Sequence, residues 1–266
     1  MSESTQDQRL ELAWDALEED DAARALELAR ELSDEQQDTW ILRATALLDL
    51  GLSEDCARAL ERAEAHGDVH DPGVAWVRAE LALLHWDLDA AARDYSHVLE
   101  VQRDPAALER LALVRDLQGE FEASDTLLRK AFELDPESHP LPPRLSTEEL
   151  DGAIGDAISA LPEAFQGVLE EVPVLVEPVP RLELGLSEGD ALPPDLLGLF
   201  VGASELERSE DHPLDEVARI YLFQRNLERA TSSREELIEE LRVTLYHELG
   251  HLLGFDEHGV DELGLG

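Results

Sequence analysis

Cysteine, positive charge and long apolar runs are all scarce in this chain. Its single cysteine, Cys56, cannot close an internal disulfide. Packing and hydrogen bonds must therefore hold the fold, which agrees with a reducing compartment and equally with a secreted protein that has no bridges. Lys and Arg together number 21 against 62 Asp and Glu, a formal net charge of -41. Such an excess repels phosphate backbones and anionic lipid, so nucleic acid is not an expected partner. It is compatible with attraction of basic peptides, with adaptation to high salt, or with a solvated acidic surface that has no dedicated partner. No apolar stretch approaches the length of a membrane span, so no membrane partner is expected. The first residues, Met1-Ser-Glu-Ser-Thr-Gln-Asp-Gln, lack the basic and apolar segments of a secretory signal, and the cytoplasm is the expected location.

The chain does have apolar residues in quantity. They make up 43% of 266 residues, enough for two cores at roughly 100 to 200 residues per domain. Residues 10 to 135 are rich in Ala, Leu, Glu and Arg, poor in Gly and Pro, and apolar at helical spacing, so this half is predicted to be all helix. It also repeats. Small residues at Ala22, Cys56, Ala91 and Ser124 are each followed seven positions later by Ala29, Ala63, Val98 and Ala131, giving a period of about 34 residues, as a helix-turn-helix array requires.

Gly119-Glu120-Phe121-Glu122-Ala123 and Lys130-Ala131-Phe132-Glu133-Leu134-Asp135-Pro136 make the fourth unit resemble a tetratricopeptide repeat. Small residues would let neighbouring helices approach closely, while Leu60, Tyr95 and Leu128 fill the space between units. Trp86 stands where the third unit would have its turn glycine, Val98 replaces a small residue, and the first unit is expected to have a shortened leading helix. Three good repeats and one weak one are therefore expected. The resemblance implies a solenoid whose concave surface receives a peptide or partner protein. Trp40, Trp76, Trp86 and Tyr95 are expected to be packing residues, as is Cys56.

The texture changes at Pro136, where four prolines fall within residues 136 to 143 and prevent regular helix. The expected organisation is a tetratricopeptide-like domain over 1–136, a Pro-rich linker over 137–145 and a second domain over 146–266. Ser146-Thr-Glu-Glu149 opens a helix with a capping signature, and Leu150, Ile154, Ile158 and Leu161 continue it. Segments 172–177, 197–202 and 217–223 read as short strands. A helix, three strands and a last helix make an α+β domain.

The last helix is predicted from a capping box at Ser233-Arg-Glu-Glu236 and from Leu237, Leu241, Leu245 and Leu249, which repeat every fourth residue. It carries His247-Glu248-Leu249-Gly250-His251. Two histidines four residues apart leave one helix face and can reach a single zinc ion at about 2.0 to 2.1 Å each. Glu248, one position along, points beside the metal, where it can accept a proton from the attacking water and pass it to a leaving amine. Catalytic zinc needs a third protein ligand. With fifteen residues after His251, the downstream candidates are Asp256, Glu257, His258, Asp261 and Glu262. Gly254 can end the helix and swing the chain back, and the spacing His247-Glu-x-x-His251-x-x-Gly254-x-x-Glu257 puts Glu257 ahead of Asp256 and His258. Tyr246 is a candidate oxyanion stabiliser or a packing residue. His212 is expected to be a solvated loop histidine.

From Ser146 onwards the sequence resembles the small bacterial zincin-like metallopeptidase family. The likeness lies in Leu161-Pro-Glu-Ala-Phe165, Leu197-Gly-Leu-Phe200, Arg219-Ile-Tyr-Leu-Phe223 and Val243 to Gly254. It implies a minimal zinc peptidase fold, with an acidic residue, commonly Asp, at the place of Glu257. The expected activity is zinc-dependent hydrolysis of peptide bonds, with Glu248 as general base and the repeat domain recruiting a substrate or partner. Leu199 to Gly202 would pair with the extended peptide, or else be an interior strand. The alternative is a non-catalytic interaction module with a structural zinc site.

Overall fold

The computed structural model describes residues 3–184, 192–202 and 218–255. The chain divides into two compact units, Met1–Leu134 and Asp135–Gly266. No helix among the described residues is long and apolar enough to cross a membrane.

The first unit is four helical hairpins: α1 Glu3–Glu18 with α2 Ala22–Ala29, α3 Gln37–Asp49 with α4 Ser53–Ala65, α5 Pro72–Leu84 with α6 Leu88–Val101, and α7 Pro105–Leu117 with α8 Phe121–Leu134. The repeated small residues lie inside. Cys56, Ala91, Ser124, Ala29, Ala63, Val98 and Ala131 are fully buried, and Ala22 nearly so. Every hairpin turns in the same way, through a residue of positive φ at Asp20, Gly51, Trp86 and Gly119. The residue after each one donates its N–H to the carbonyl five positions back: Asp21 to Ala16, Leu52 to Leu47, Asp87 to Ala82 and Glu120 to Arg115. This is the Schellman pattern that satisfies helix-end carbonyls. Trp86 adopts it without glycine's freedom, so the requirement for the turn outweighs a cost of about 1 to 2 kcal/mol.

The first hairpin departs from expectation. Its leading helix is 16 residues long and its second helix only 8, so the shortening falls on α2. The polar stretch after Ala29 leaves the helix, and its Ser33 N–H is taken by the side chain of Gln6. The buried Tyr95 and Glu80 of this unit are paired. Tyr95 donates to Glu80 at 2.5 Å, and Arg110 Nε donates to the same carboxylate at 2.7 Å. Trp76 meets Tyr95 edge to face. Burial pushes the Cys56 thiol up to about 11, which keeps it protonated and inert and suits the packing role.

In the second unit, α9 Thr147–Ala160 and α10 Glu163–Glu171 precede β1 Val174–Glu177, β2 Gly198–Val201, β3 Arg219–Phe223, α11 Gln224–Arg229 and α12 Arg234–Leu252. The sheet order is β1-β3-β2, with β1 parallel and β2 antiparallel to β3. As the central strand, β3 is buried on both faces from Ile220 to Phe223, which explains its continuous apolar run. Ile220 and Leu222 join Leu150, Ile154, Leu241, Leu245 and Leu249 in one core, so α9 and α12 pack on that face. The leucine stripe of α12 is buried throughout. At the close of the Pro-rich stretch, Leu145 belongs to this core and Arg144 pairs with the buried Glu228.

Ser146 forms the full capping box with Glu149. At α12 the box is split: Ser233 caps the N–H of Glu236, but the Glu236 carboxylate accepts from Ser232. The N–H and hydroxyl of Ser146, together with Arg234, hold the Glu149 carboxyl well below the usual range, at about 2. A depressed carboxylate stabilises the fold above its unfolded pKa, about 4.3 for Glu, and the benefit is lost as the pH falls towards 2. Glu149→Gln should therefore melt below the parent at pH 7 and level with it near pH 2. Equal differences at both pH values in thermal melts would remove this carboxylate from the acid response.

Candidate metal centre and active-site cleft

The site is built on α12, which is anchored by its leucines. His247 and His251 leave one face with their Nε2 atoms 3.0 Å apart and their rings nearly perpendicular. Two nitrogens bound to one tetrahedral zinc ion at about 2.0 to 2.1 Å lie roughly 3.3 Å apart, so the pair has the separation of two ligands of one ion. His251 Nδ1 donates to the carbonyl of Phe255 at 3.2 Å. A carbonyl can only accept, so in the neutral ring the lone pair is on Nε2, towards His247.

Gly254 makes that contact possible. Its φ is +90, and Phe255 N–H closes a Schellman bond to Gly250 O at 3.1 Å. The chain is thereby folded back over the histidine, as the glycine predicts. Glu257, Asp256, His258, Asp261, Glu262 and His212 lie outside the described residues. Among the described residues no group of three or more His, Cys, Asp or Glu side chains gathers at one point.

Glu248 is 7% exposed, and its Oε2 accepts the backbone N–H of Phe200 at 2.7 Å. The register explains this contact. Phe223 N–H bonds Leu197 O, and Leu197 is therefore in the set of β2 residues that face β3. Phe200 lies in the alternate set, whose N–H groups point away from β3. Glu248 thus holds the outer edge of β2. Gly198 allows the approach: a Cβ there would lie 2.6 Å from Thr244 Cγ2 and 3.0 Å from Glu248 Cγ and Oε1.

Beside His247 and Glu248 runs a cleft of about 430 Å³ between α12 and the segment leading into β2. Asn226, 2% exposed, secures that segment by donating to the carbonyls of Pro194 and Leu196 at 3.1 and 2.8 Å. Tyr246 faces elsewhere. It is buried and donates its hydroxyl to Ala157 O at 2.7 Å, so it ties α12 to α9 and is a packing residue.

These features have a counterpart among known protein families. A model described as Zincin-like metallopeptidase matches residues 169–266. The matched stretch contains all three strands, α11 and α12. No curated protein matches the chain. Sequence reasoning did not reveal the Phe200 contact or the role of Asn226. A glycine inside a strand was the available signal for a close approach at position 198.

Proposed function

We propose that the second unit is a zinc-dependent peptidase in which His247, His251 and Glu257 hold the metal and Glu248 is the general base. The observation that carries this reading is the convergence of two imidazole nitrogens on a helix whose intervening glutamate reaches the edge of β2. Zinc, when bound, supplies a Lewis acid for the substrate carbonyl and lowers the pKa of water to about 7. The chain's own residues do the rest. Glu248, oriented by Phe200 N–H, accepts a proton from the attacking water and delivers it to the leaving amine. Among the described residues β2 is paired on one side only; because Glu248 takes the outward N–H of Phe200, an extended peptide would pair with the rest of that edge to align its backbone with the site. The helical hairpins, with their repeat period and common turn, are proposed as a tetratricopeptide-like array that recruits a substrate or partner protein.

Elemental analysis of protein purified without chelator should find near one zinc per chain, and little in the variant with both His247→Ala and His251→Ala. Unchanged zinc in that variant would reject the ligand assignment. Gly254→Ala tests the support of the ligand. Strain at φ +90 costs about 1 to 2 kcal/mol, and losing the carbonyl behind His251 should weaken zinc binding about ten-fold. Competition with a colorimetric chelator measures this, and equal affinity would show that the turn does not support the ligand.

A further inference from the structure

The cleft beside His247 has a particular chemistry. One wall is α12, where Glu240, Thr244 and His247 lie at helical spacing on a common face, with Val243 beside them; the other includes Asp195, Leu196 and Leu197. Its volume is within the range of small-ligand sites, roughly 300 to 1,000 Å³. The walls offer aliphatic surface, while the lining carries two carboxylates besides Glu248 and, among the described residues, no Lys or Arg. Glu240 begins about 10 Å along the helix from His247, at 1.5 Å per residue. Its neighbour Glu239 is paired with Arg242, whereas Glu240 is half-buried with no ion pair among the described residues.

We propose that this cleft is a specificity pocket for a lysine or arginine side chain adjoining the scissile bond, with Glu240 and Asp195 receiving its cationic end. This rests on the peptidase reading of the same site and adds its substrate class. A long aliphatic stem packs against Leu196, Leu197 and Val243 while its charged tip meets the carboxylates. A norleucine side chain has the stem without the charge. A glutamate is repelled, because two like charges would share a partly desolvated space. The segment that forms this wall is held in place, since Asn226 bonds the carbonyls of Pro194 and Leu196 within it and is itself held by Arg229 at 2.9 Å. Little ordering cost therefore falls on binding. The net charge of -41 draws any cationic peptide towards the protein, but only a pocket makes the position of the cation matter.

The test uses full-length protein loaded with zinc and peptides of one length, each with Arg, norleucine or Glu at one position along a common sequence. Cleavage should be about ten-fold faster with Arg at one position flanking the cut than with norleucine there, a ratio worth ~1.4 kcal/mol. Asp195→Asn combined with Glu240→Gln should bring that ratio close to one. Binding is read separately on Glu248→Gln by fluorescence polarisation of labelled peptides. If that protein prefers Arg at one position and loses the preference with the double substitution, the pocket stands even where the parent cuts nothing, and only the peptidase reading fails. The pocket is overturned if Arg, norleucine and Glu peptides bind alike. It is equally overturned if the preference survives the double substitution, or if Arg helps to the same degree wherever it is placed.

Discussion

Glu248→Gln is expected to retain zinc near one per chain and to lose peptide turnover by a factor of about 10² to 10⁴, the usual worth of a positioned general base. The substitution preserves length and volume, and a glutamine oxygen can still accept the N–H of Phe200, now held by the carboxylate at 2.7 Å. The edge of β2 should therefore stay in place, with a stability change of about 1 kcal/mol or less for one weakened hydrogen bond. What disappears is the group that can take a proton. If the second unit were a non-catalytic module with a structural zinc, the parent would have no turnover to lose, and the variant would match it in zinc content, stability and partner binding. Parallel zinc analysis, thermal melting and peptide cleavage on both proteins decide between the two. Retained turnover in a zinc-loaded variant would remove Glu248 from the chemistry.

Much of the scaffold behind this site is legible in the sequence because it follows local rules. Leu237, Leu241, Leu245 and Leu249 announce a buried helix face, Ser146 and Glu149 announce a helix start, and the apolar and aromatic run within Arg219–Phe223 announces a strand. The recurrence near 34 residues marks the four hairpins. Features set by tertiary contact are harder to read. In α11, Gln224–Arg229, six largely polar residues show no apolar period, yet Asn226 and Glu228 are buried and committed to partners across the unit. Trp86 breaks the glycine rule because the hairpin's geometry imposes the turn on whatever residue stands there. The place of Tyr246 beside His247 leaves chemistry and packing both open, and the structure decides for packing: a helix turns about 100° per residue, which takes its hydroxyl away from the histidine face to Ala157 O. The two histidines and the glutamate were legible as a spacing. The backbone donor that orients the glutamate belongs to a strand forty-eight residues away, and no local pattern encodes it.

That distant contact makes Gly198→Ala the other large expected effect. Gly198 opposes Leu222 on β3, on the face covered by α12. An added methyl would meet Thr244 Cγ2 at 2.6 Å, closer than carbon atoms tolerate, and Glu248 Cγ and Oε1 at 3.0 Å. Thr244 is β-branched and 6% exposed, so it has few rotamers into which it can retreat. The strain must be relieved by moving β2 away from α12, at about 1 to 3 kcal/mol for an overpacked core position. The same movement lengthens the bond from Phe200 to Glu248 and widens the cleft. Thermal melting should thus fall by several degrees, and turnover should fall further than the stability loss explains. Combining Gly198→Ala with Thr244→Ser separates the two consequences. Removing Cγ2 relieves the shorter contact and should recover most of the stability, while the contact with Glu248 remains and keeps turnover low. Full recovery of both properties would mean that Gly198 serves packing alone. Recovery of neither would mean that the clash with Glu248 itself, rather than with Thr244, governs how closely the strand can approach the site helix.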